Sequence, residues 1–234
     1  MTLHPADTRV PHRTRYAILC LVAVGLVCST TFADEKPTGE TIKLFNGKDL
    51  TGWTTYLEPE KKADPAKIWT ISDGVIHCEG SVPGYLLTEK EYDNYVLRFQ
   101  WRFPPGSRGG NSGAFVHVVG PDMIWPKGIE AQLQHQQAGD FWLVGGAKLK
   151  VDEERHDPRN VRHYYRYKSE EKIEKPIGDW NQYEITCDQN NIKLVINGHL
   201  VNVGTEGELS KGRILLQSEG APIEFRNIEL QRLK

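Results

Sequence analysis

The segment Gly128–His135 carries a carboxylate and two amides at a spacing that would bring them together. Side chains two positions apart lie on one face of a β-strand, so Glu130, Gln132 and Gln134 would form a single row. The residues between them are apolar and would face a core: Ile129, Ala131 and Leu133. A titratable group beside fixed hydrogen-bonding groups suits the recognition of sugar hydroxyls, although a solvated strand face would show the same alternation.

Two tryptophans flank this segment, Trp125 before it and Trp142 after it. An indole ring combines a flat apolar surface with a polar edge, which suits packing against the apolar face of a sugar. Both tryptophans could equally pack in a core or at a rim. The segment and its flanks together indicate a candidate carbohydrate site.

Further polar residues could face the same site. The glycine-rich segment Gly109–Gly113 permits tight turns and close approach of a ligand to the backbone. Asn111 within it could bind that ligand or only stabilise its own turn. His117 could act as an acid or base, although a lone strand histidine is more often structural. The remaining candidates for substrate binding are Arg102, His135 and Gln217.

The number of carboxylates limits the chemistry that the row can perform. A retaining glycosidase uses two carboxyl groups about 5–5.5 Å apart. The neighbours of Glu130 on its strand face are amides, which can neither attack a substrate nor protonate it. A retaining mechanism would therefore need a second carboxylate from another strand, and the candidates are Glu79, Asp140 and Glu219.

From Thr41 onward the sequence is typical of short strands separated by turn residues, with no sustained helical periodicity. Tyr95–Arg102 alternates between two faces, and Asn197-Gly198 is a dipeptide preferred in tight hairpins. The other predicted strands are 41–45, 68–71, 75–78, 112–119, 129–135, 141–144, 148–151, 183–187, 192–196, 199–203, 213–217 and 223–230. This pattern predicts an all-β sandwich or barrel. The charged segment Asp152–Lys175 is interpreted as a solvated loop insertion, with a cover over one end of the fold as the alternative.

Residues 1–33 have the pattern of a secretory signal peptide, with three arginines before the apolar run Ala17–Val27 and small residues at the expected cleavage site. Cleavage after Ala33 would leave one domain, 34–234. It would remove three Arg and one Asp and shift the formal charge from −2 to −4, which provides no basic stripe for nucleic acid. We therefore expect an exported protein, periplasmic or extracellular, with neither a nucleic acid partner nor a membrane span.

Two of the four cysteines, Cys78 and Cys187, lie in the mature chain. Export permits a disulfide between them, but a core of this size needs no crosslink, so two buried thiols are slightly favoured. No Cys/His spacing resembles a zinc site.

Six ordered segments resemble those of the 3-keto-disaccharide hydrolase family, long known as a domain of unknown function. They are Leu44–Trp53, Gly110–Gly113, Gly128–Leu133, Gly178–Asn181, Val195–Gly198, and Ile214–Gln217 through Phe225–Ile228. The resemblance covers nearly all of the mature chain. It implies a concanavalin A-like jelly-roll β-sandwich, similar in fold to laminarinase-type glucanases, with a sugar site on the concave sheet. Glu130 and Gln132 stand at the family's Glu-x-Gln positions, whereas the Asp that many relatives carry after this strand is replaced here by Gln134 and His135.

The resemblance implies hydrolysis or hydration of 3-keto sugars and their glycals. A ketone at C3 acidifies the hydrogen at C2, so one base could remove it and donors could stabilise the resulting enolate. Glu130 would be the base, and the candidate donors are Gln132, Asn111, His117, His135 and Arg102. The substrate would be a small molecule or an oligosaccharide. The alternative is a lectin-like module that binds sugars in the same groove without turnover.

No cofactor is expected. A structural calcium ion is compatible with this fold class, but no cluster of carboxylates in the sequence predicts one.

We expect the protein recovered from the cell envelope or the medium to begin at Asp34, because the small residues before it form the cleavage site. Intact mass and N-terminal sequencing measure this directly. A chain that retains Met1, or one that carries a lipid on Cys28, would contradict the signal-peptide interpretation.

Overall fold

The structure is a computed structural model and describes residues 1–2, 39–169 and 172–233. The residues that carry the signal-peptide prediction lie outside these ranges. None of the helices in the described part of the chain is long and apolar enough to span a membrane. The described residues from Gly39 onward belong to one compact unit.

Two antiparallel sheets contain the strands of this unit. The first sheet consists of β1 Thr41–Lys43, β3 Trp69–Ser72, β4 Val75–Cys78, β7 Tyr95–Arg102, β12 Asn181–Asp188, β13 Asn191–Ile196, β14 His199–Gly204 and β16 Ile223–Arg232. The second sheet consists of β2 Trp53–Leu57, β5 Gly84–Thr88, β6 Tyr92–Asp93, β8 Gly113–Val119, β9 Lys127–Gln132, β10 Phe141–Val144, β11 His163–Tyr164 and β15 Lys211–Ser218. A four-residue helix, Pro65–Ile68, and two 3-10 turns, Pro59–Lys61 and Glu153–Arg155, complete the elements.

The strand order differs from the sequence order. The first sheet runs β14-β13-β12-β7-β16-β4-β3 with β1 paired to β16, and the second runs β11-β10-β9-β8-β15-β5-β2 with β6 paired to β15. Strands that are distant in sequence therefore become neighbours, as β8 and β15 do. This topology brings residues near 115, 130, 142 and 217 onto adjacent strands of one sheet.

The main core lies between the two sheets. In β7 the side chains of Leu97, Phe99 and Trp101 are fully buried, and the alternate residue Arg98 is only partly covered. In β9 the core-facing residues are Ile129 and Ala131, as their spacing predicts. Each sheet thus contributes the apolar face that a sandwich needs.

A second apolar cluster lies on the opposite face of the second sheet. It contains Tyr85, Leu87, Phe115, Val118, Val144 and Leu215, with Tyr56, Trp125 and Trp142 packed against it. Strand β5 is buried at all five positions because it contacts apolar groups on both faces. A strand buried on both faces shows no alternation, which explains why the sequence pattern did not predict β5.

The all-β prediction is confirmed, and three strands agree with it at both ends: 75–78, 95–102 and 141–144. Two expectations are wrong. Lys148–Val151 forms only an isolated bridge between Lys150 and Thr205, and the predicted strand 129–135 ends at Gln132. Strand β2 was not predicted either, because its residues lack a regular alternation.

The interpretation of Asp152–Lys175 as a solvated insertion is also wrong. Arg155, Asp157 and His163 within it are buried, and His163–Tyr164 pairs with β10 as the edge strand of the second sheet. The interpretation fails at these buried residues, which have polar partners, whereas other charged side chains of the segment, such as Asp152, Arg159 and Lys168, are exposed.

Cys78 and Cys187 are free thiols, and both are buried. Burial raises the pKa of each thiol to about 12, so neither is ionised at neutral pH. The slight preference for two separate thiols is confirmed.

Phe99→Ala should lower the free energy of unfolding by about 3–5 kcal/mol, because it leaves a cavity in the main core. The Phe99 ring packs within 6.2 Å, centroid to centroid, of the rings of Trp101 and Phe225 and within 5.4 Å of Tyr183. Urea unfolding measures the change. The control is Leu200→Ala at a half-exposed position, which should change stability by less than about 0.5 kcal/mol. Equal effects of the two substitutions would contradict the assigned core.

Candidate functional site

Glu130 lies at the centre of the outer face of the second sheet, between two aromatic residues on neighbouring strands. It pairs in register with Phe115 of β8 on one side and with Trp142 of β10 on the other. Residues directly opposite on antiparallel strands have Cβ atoms about 4.5–5.5 Å apart on the same face. The predicted row is therefore real, and its charged member is enclosed by rings.

A pocket of about 260 Å³ opens over this row. Its lining residues are Asn111, Phe115, Trp125, Glu130, Gln132, Gln134, Trp142, Val144, Arg162, Gln217 and Glu219. Eight of these are residues that the sequence analysis selected: Asn111, Trp125, Glu130, Gln132, Gln134, Trp142, Gln217 and Glu219. They come from separate strands and loops, so only the sheet topology brings them together.

The side chain of Glu130 is only 6% exposed, and a glycine makes room for it. Any Cβ at Gly113, which is on the adjacent strand, would lie 2.3 Å from Oε1 of Glu130 and 3.1 Å from Oε1 of Gln217. Such distances are shorter than van der Waals contact. The glycine at position 113 therefore serves the pocket by its lack of a side chain.

Burial raises the pKa of Glu130 well above its ordinary value, because the charged form loses hydration. The nearby Glu219 carboxylate raises that pKa further, and the Arg162 guanidinium opposes the shift. A carboxyl group with a raised pKa, in a pocket with polar neighbours, is a marker of functional sites.

Glu219 supplies the second carboxylate that the sequence left unassigned. It lines the same pocket, and its Oε2 accepts a hydrogen bond of 2.5 Å from Nδ2 of Asn111. Burial raises the pKa of Glu219, and the Asn111 hydrogen bond partly offsets this. The other two candidates lie elsewhere: Glu79 bonds Ser81 on the surface, and Asp140 is buried beside His163.

Three amide side chains give the pocket a defined set of donors and acceptors. Oε1 of Gln132 accepts from the backbone N–H groups of Leu133 and Gln134, at 2.9 and 3.0 Å, which leaves its NH₂ group to donate to a ligand. Oδ1 of Asn111 and Oε1 of Gln217 are buried and accept no hydrogen bond from any described residue. Unsatisfied buried acceptors cost roughly 1–3 kcal/mol each, so they favour a ligand or water that donates to them.

Arg162 is a pocket residue that the sequence analysis missed. It lies just before β11, and its guanidinium carbon is 5.9 Å from the centre of the Trp142 ring. No signal in the sequence distinguishes it from the other arginines of its charged segment. Its place became evident only with the pairing of β10 and β11.

His117 does not face the pocket, which corrects its selection as a candidate acid or base of the site. A bulge lies between Val116 and Val119, and His117 adopts a φ of 53° within it. Val118 takes the outer-face position instead, and the His117 ring lies between Tyr95 and the backbone of Leu209. Burial lowers the pKa of His117 to about 4, so the ring is neutral at pH 7 and serves as a packed, structural group.

Arg102 and His135 also lie outside the pocket. Arg102 is on the first sheet, where Nε donates to Glu224 at 2.5 Å and the guanidinium carbon lies 4.5 Å from the Trp180 ring centre. His135 lies beyond the end of β9, with its Nδ1 3.6 Å from a Glu174 carboxylate oxygen. The strand ends early because the Gln132 side chain caps the following turn, so the alternation does not extend to position 135.

The arrangement combines a buried titratable carboxyl group, a second carboxyl group, amides and two indole rings around a small volume. Such a combination can hold one polar ring against an aromatic platform and move a proton at it. Among the described residues, no group of His, Cys, Asp and Glu side chains is placed to hold a metal ion.

Sequence similarity agrees with this geometry. Residues 40–231 match the sequence model of the 3-keto-alpha-glucoside-1,2-lyase-like domain, which spans both sheets and every pocket residue. No curated protein matches the chain in sequence.

Solved structures share the architecture. A candidate glycosyl hydrolase from Parabacteroides distasonis ATCC 8503 is 25% identical, with a TM-score of 0.61 over 84% of this chain and 94% of that one. The carbohydrate-binding module CBM66 from Bacillus subtilis is 12% identical, with a TM-score of 0.53 over 77% of this chain and 95% of that one. A β-glucanase from Bacillus licheniformis is 14% identical, with a TM-score of 0.51 over 84% of this chain and all of that one. The last two show the fold alone, and the predicted glucanase-type jelly-roll sandwich is confirmed.

Glu130→Gln should stabilise the protein at neutral pH. The native state holds the Glu130 proton more tightly than the unfolded chain does, so this group's stabilising effect is complete below its ordinary pKa of 4.5 and is lost as the pH rises through the raised value. Gln cannot ionise, so the variant avoids that loss. Urea unfolding between pH 4 and pH 8 should show a difference that grows with pH.

The matched control is Glu60→Gln, which removes one carboxylate from an exposed turn. Its stability should follow the wild-type pH dependence. Parallel curves for Glu130→Gln and the wild type would contradict the assigned burial of Glu130.

Proposed function

The chain belongs to the 3-keto-alpha-glucoside-1,2-lyase-like domain family, and on that basis we propose that it cleaves the C1–O bond of a 3-keto glycoside with Glu130 as the general base. The observation that carries the proposal is the buried Glu130 carboxyl group, which lies in register with Phe115 and Trp142 in a pocket with free amide groups. Export through the leader 1–33 is part of the same proposal.

The chemistry needs one base of suitable strength. The ketone at C3 acidifies the hydrogen at C2, and Glu130 takes that proton while the electron pair of the C–H bond forms an enolate with the C3 oxygen. A raised pKa makes Glu130 a stronger base in its ionised form, and general bases are most effective when their pKa is near the working pH. The Arg162 guanidinium opposes the rise in the pKa of Glu130 and so favours its ionised form.

The developing charge on the C3 oxygen needs donors. Gln132 has its NH₂ group available, because its carbonyl oxygen is engaged with the backbone. Arg162 adds a positive charge at the pocket wall. Donors aimed in advance at a developing oxyanion are commonly the largest contribution to catalysis of this kind.

The enolate then expels the group at C1, and the leaving oxygen must take a proton. Two neighbouring carboxyl groups resist ionising together, so while Glu130 is ionised, Glu219 is the group more readily protonated. Glu219 can therefore donate to the leaving oxygen, held in place by Asn111. Addition of water to the resulting unsaturated sugar reverses the same proton transfers and would complete a hydrolysis.

The pocket size limits the substrate. Sites for drug-sized ligands occupy about 300–1,000 Å³, and this pocket occupies about 260 Å³. It accommodates one sugar ring, so the group leaving C1 would extend toward solvent. This supports an exo-acting reaction at one terminal 3-keto sugar.

A lectin-like module is the competing function. An exposed, flat row of polar groups would favour binding without turnover, because such a row has no reason to bury a proton-transfer group. Glu130 and Gln132 are 6% and 3% exposed, which favours the enzyme.

Glu130→Gln should lower kcat on a 3-keto glucoside by about 10²–10⁴-fold, the usual contribution of general acid–base catalysis, with a smaller effect on KM. Gln keeps the shape of the side chain but cannot take the proton. Release of the aglycone is the measurement, and Glu60→Gln on the surface is the control that should retain full activity. Gln132→Ala should cost less, because it removes a donor and leaves the base.

Near-wild-type turnover by Glu130→Gln would place the base elsewhere in the pocket, with Glu219 the next candidate. A wild-type protein that binds sugars but turns over no 3-keto glycoside would establish the lectin-like alternative.

A further inference from the structure

The ring of Trp142, one wall of the pocket, rests on a buried histidine. The imidazole of His163 stacks on the indole with centroids 4.3 Å apart and planes inclined by 11°. Trp142 of β10 lies directly opposite a residue on each neighbouring strand: Glu130 of β9 on one side and His163 of β11 on the other. The three side chains therefore form one row across three strands, from the proposed base to the interior of the insertion.

Both nitrogens of the His163 ring face carboxylates. Nε2 lies 2.8 Å from Oδ2 of Asp140, and Nδ1 lies 3.1 Å from Oδ2 of Asp157. An ionised carboxylate only accepts hydrogen bonds, so each nitrogen must donate, and a ring that donates from both nitrogens is an imidazolium. The His163 and both aspartate side chains are at most 6% exposed.

Each carboxylate also accepts hydrogen bonds from other groups, and those from Arg159 lower the pKa of Asp157. Arg159 donates to Asp157 at 3.0 and 3.2 Å, and the backbone N–H of Arg166 donates to Asp140 at 2.7 Å. Burial lowers the pKa of His163, but the two carboxylates outweigh it and raise the pKa above its ordinary value. The charged and titratable groups around the ring are Asp140, Asp157, Arg159, Arg162, Tyr165 and Arg166.

We infer that His163 is a positioning residue: its imidazolium, held between Asp140 and Asp157, fixes the Trp142 ring as the platform for the sugar. A cation over the face of an indole is attracted by the ring's electron density, and the attraction grows when water is excluded. His163 covers one face of the indole, so a ligand can contact only the part of Trp142 that lines the pocket. Because Arg162 directly precedes His163 in the chain, the contacts that hold His163 also fix the position of the Arg162 backbone.

The inference depends on the proposed function only for the identity of the ligand. The stacking of His163 on Trp142 can be measured without any ligand, because a protonated imidazole quenches the fluorescence of an indole in contact with it. The emission of Trp142 is obtained as the difference between the wild type and Trp142→Phe. We expect this emission to be quenched at neutral pH and to recover as the pH rises through the raised pKa of His163.

Two substitutions test the anchor. His163→Gln should abolish the pH-dependent recovery, and Asp157→Asn should shift it to lower pH, because the neutral amide keeps the shape but not the charge. Glu60→Gln is the control: it removes a carboxylate from an exposed turn after β2, at the opposite edge of the second sheet from β11, so the recovery should remain. If His163→Gln does not fold, the wild-type titration and Asp157→Asn still decide the outcome.

Steady-state kinetics distinguish a residue that positions the sugar platform from one that only stabilises the fold. His163→Gln should raise KM about tenfold with kcat changed less than about threefold, since lost binding shared by the ground and transition states appears in KM alone. A residue with only a structural role would lower the unfolding free energy and leave KM unchanged.

Trp142 emission independent of pH, or an unchanged KM in His163→Gln, would overturn the inference. Glu130→Gln should retain the fluorescence signature in full. Failure of the proposed function would instead appear as absent turnover in the wild type with the signature intact, so the two failures are distinguishable.

Discussion

The structure of the pocket depends on the burial of one carboxyl group, that of Glu130, on a sheet face that combines apolar side chains with amides. Moving a carboxylate out of water is costly, and a group so placed keeps its proton to a higher pH. The surrounding residues allow the burial: Gly113 leaves the space, and Phe115 and Trp142 occupy the neighbouring register positions. The burial of Glu130 also requires apolar groups on both faces of the second sheet. One face packs in the main core, and the other lines the pocket.

The charged insertion is the second determinant of the pocket, and it acts through the few charged side chains that it buries. Asp140, Asp157 and His163 satisfy one another in the interior, and such a network contributes rigidity only when every member is paired. The network holds β11 at the edge of the second sheet. That edge strand in turn places Arg162 at the pocket and the His163 ring against Trp142.

Strand alternation predicted much of the fold and failed where the backbone departs from regularity. Strand 95–102 was predicted at both ends because its apolar side chains alternate with Arg98, Gln100 and Arg102. Strand 141–144 was predicted as a short apolar run. Strand β5 was missed since it is buried on both faces, and His117 proved a wrong site candidate because a bulge with positive φ in β8 turns it away from the pocket. A bulge changes the face of every residue after it, and the sequence around position 117 carries no turn signal that marks one.

The sequence by itself determined the class of the fold, the family and the central row of Glu130 and Gln132, because these depend on local period and on ordered motifs. The tertiary structure alone decided which distant residues join that row. Glu219, Gln217 and Arg162 reach the pocket through long-range pairing of β15 with β8 and of β11 with β10, which leaves no periodic trace in the chain. The ionisation of the site was likewise undecidable from sequence, since the pKa of a carboxyl group depends on its burial and on neighbours that only folding supplies.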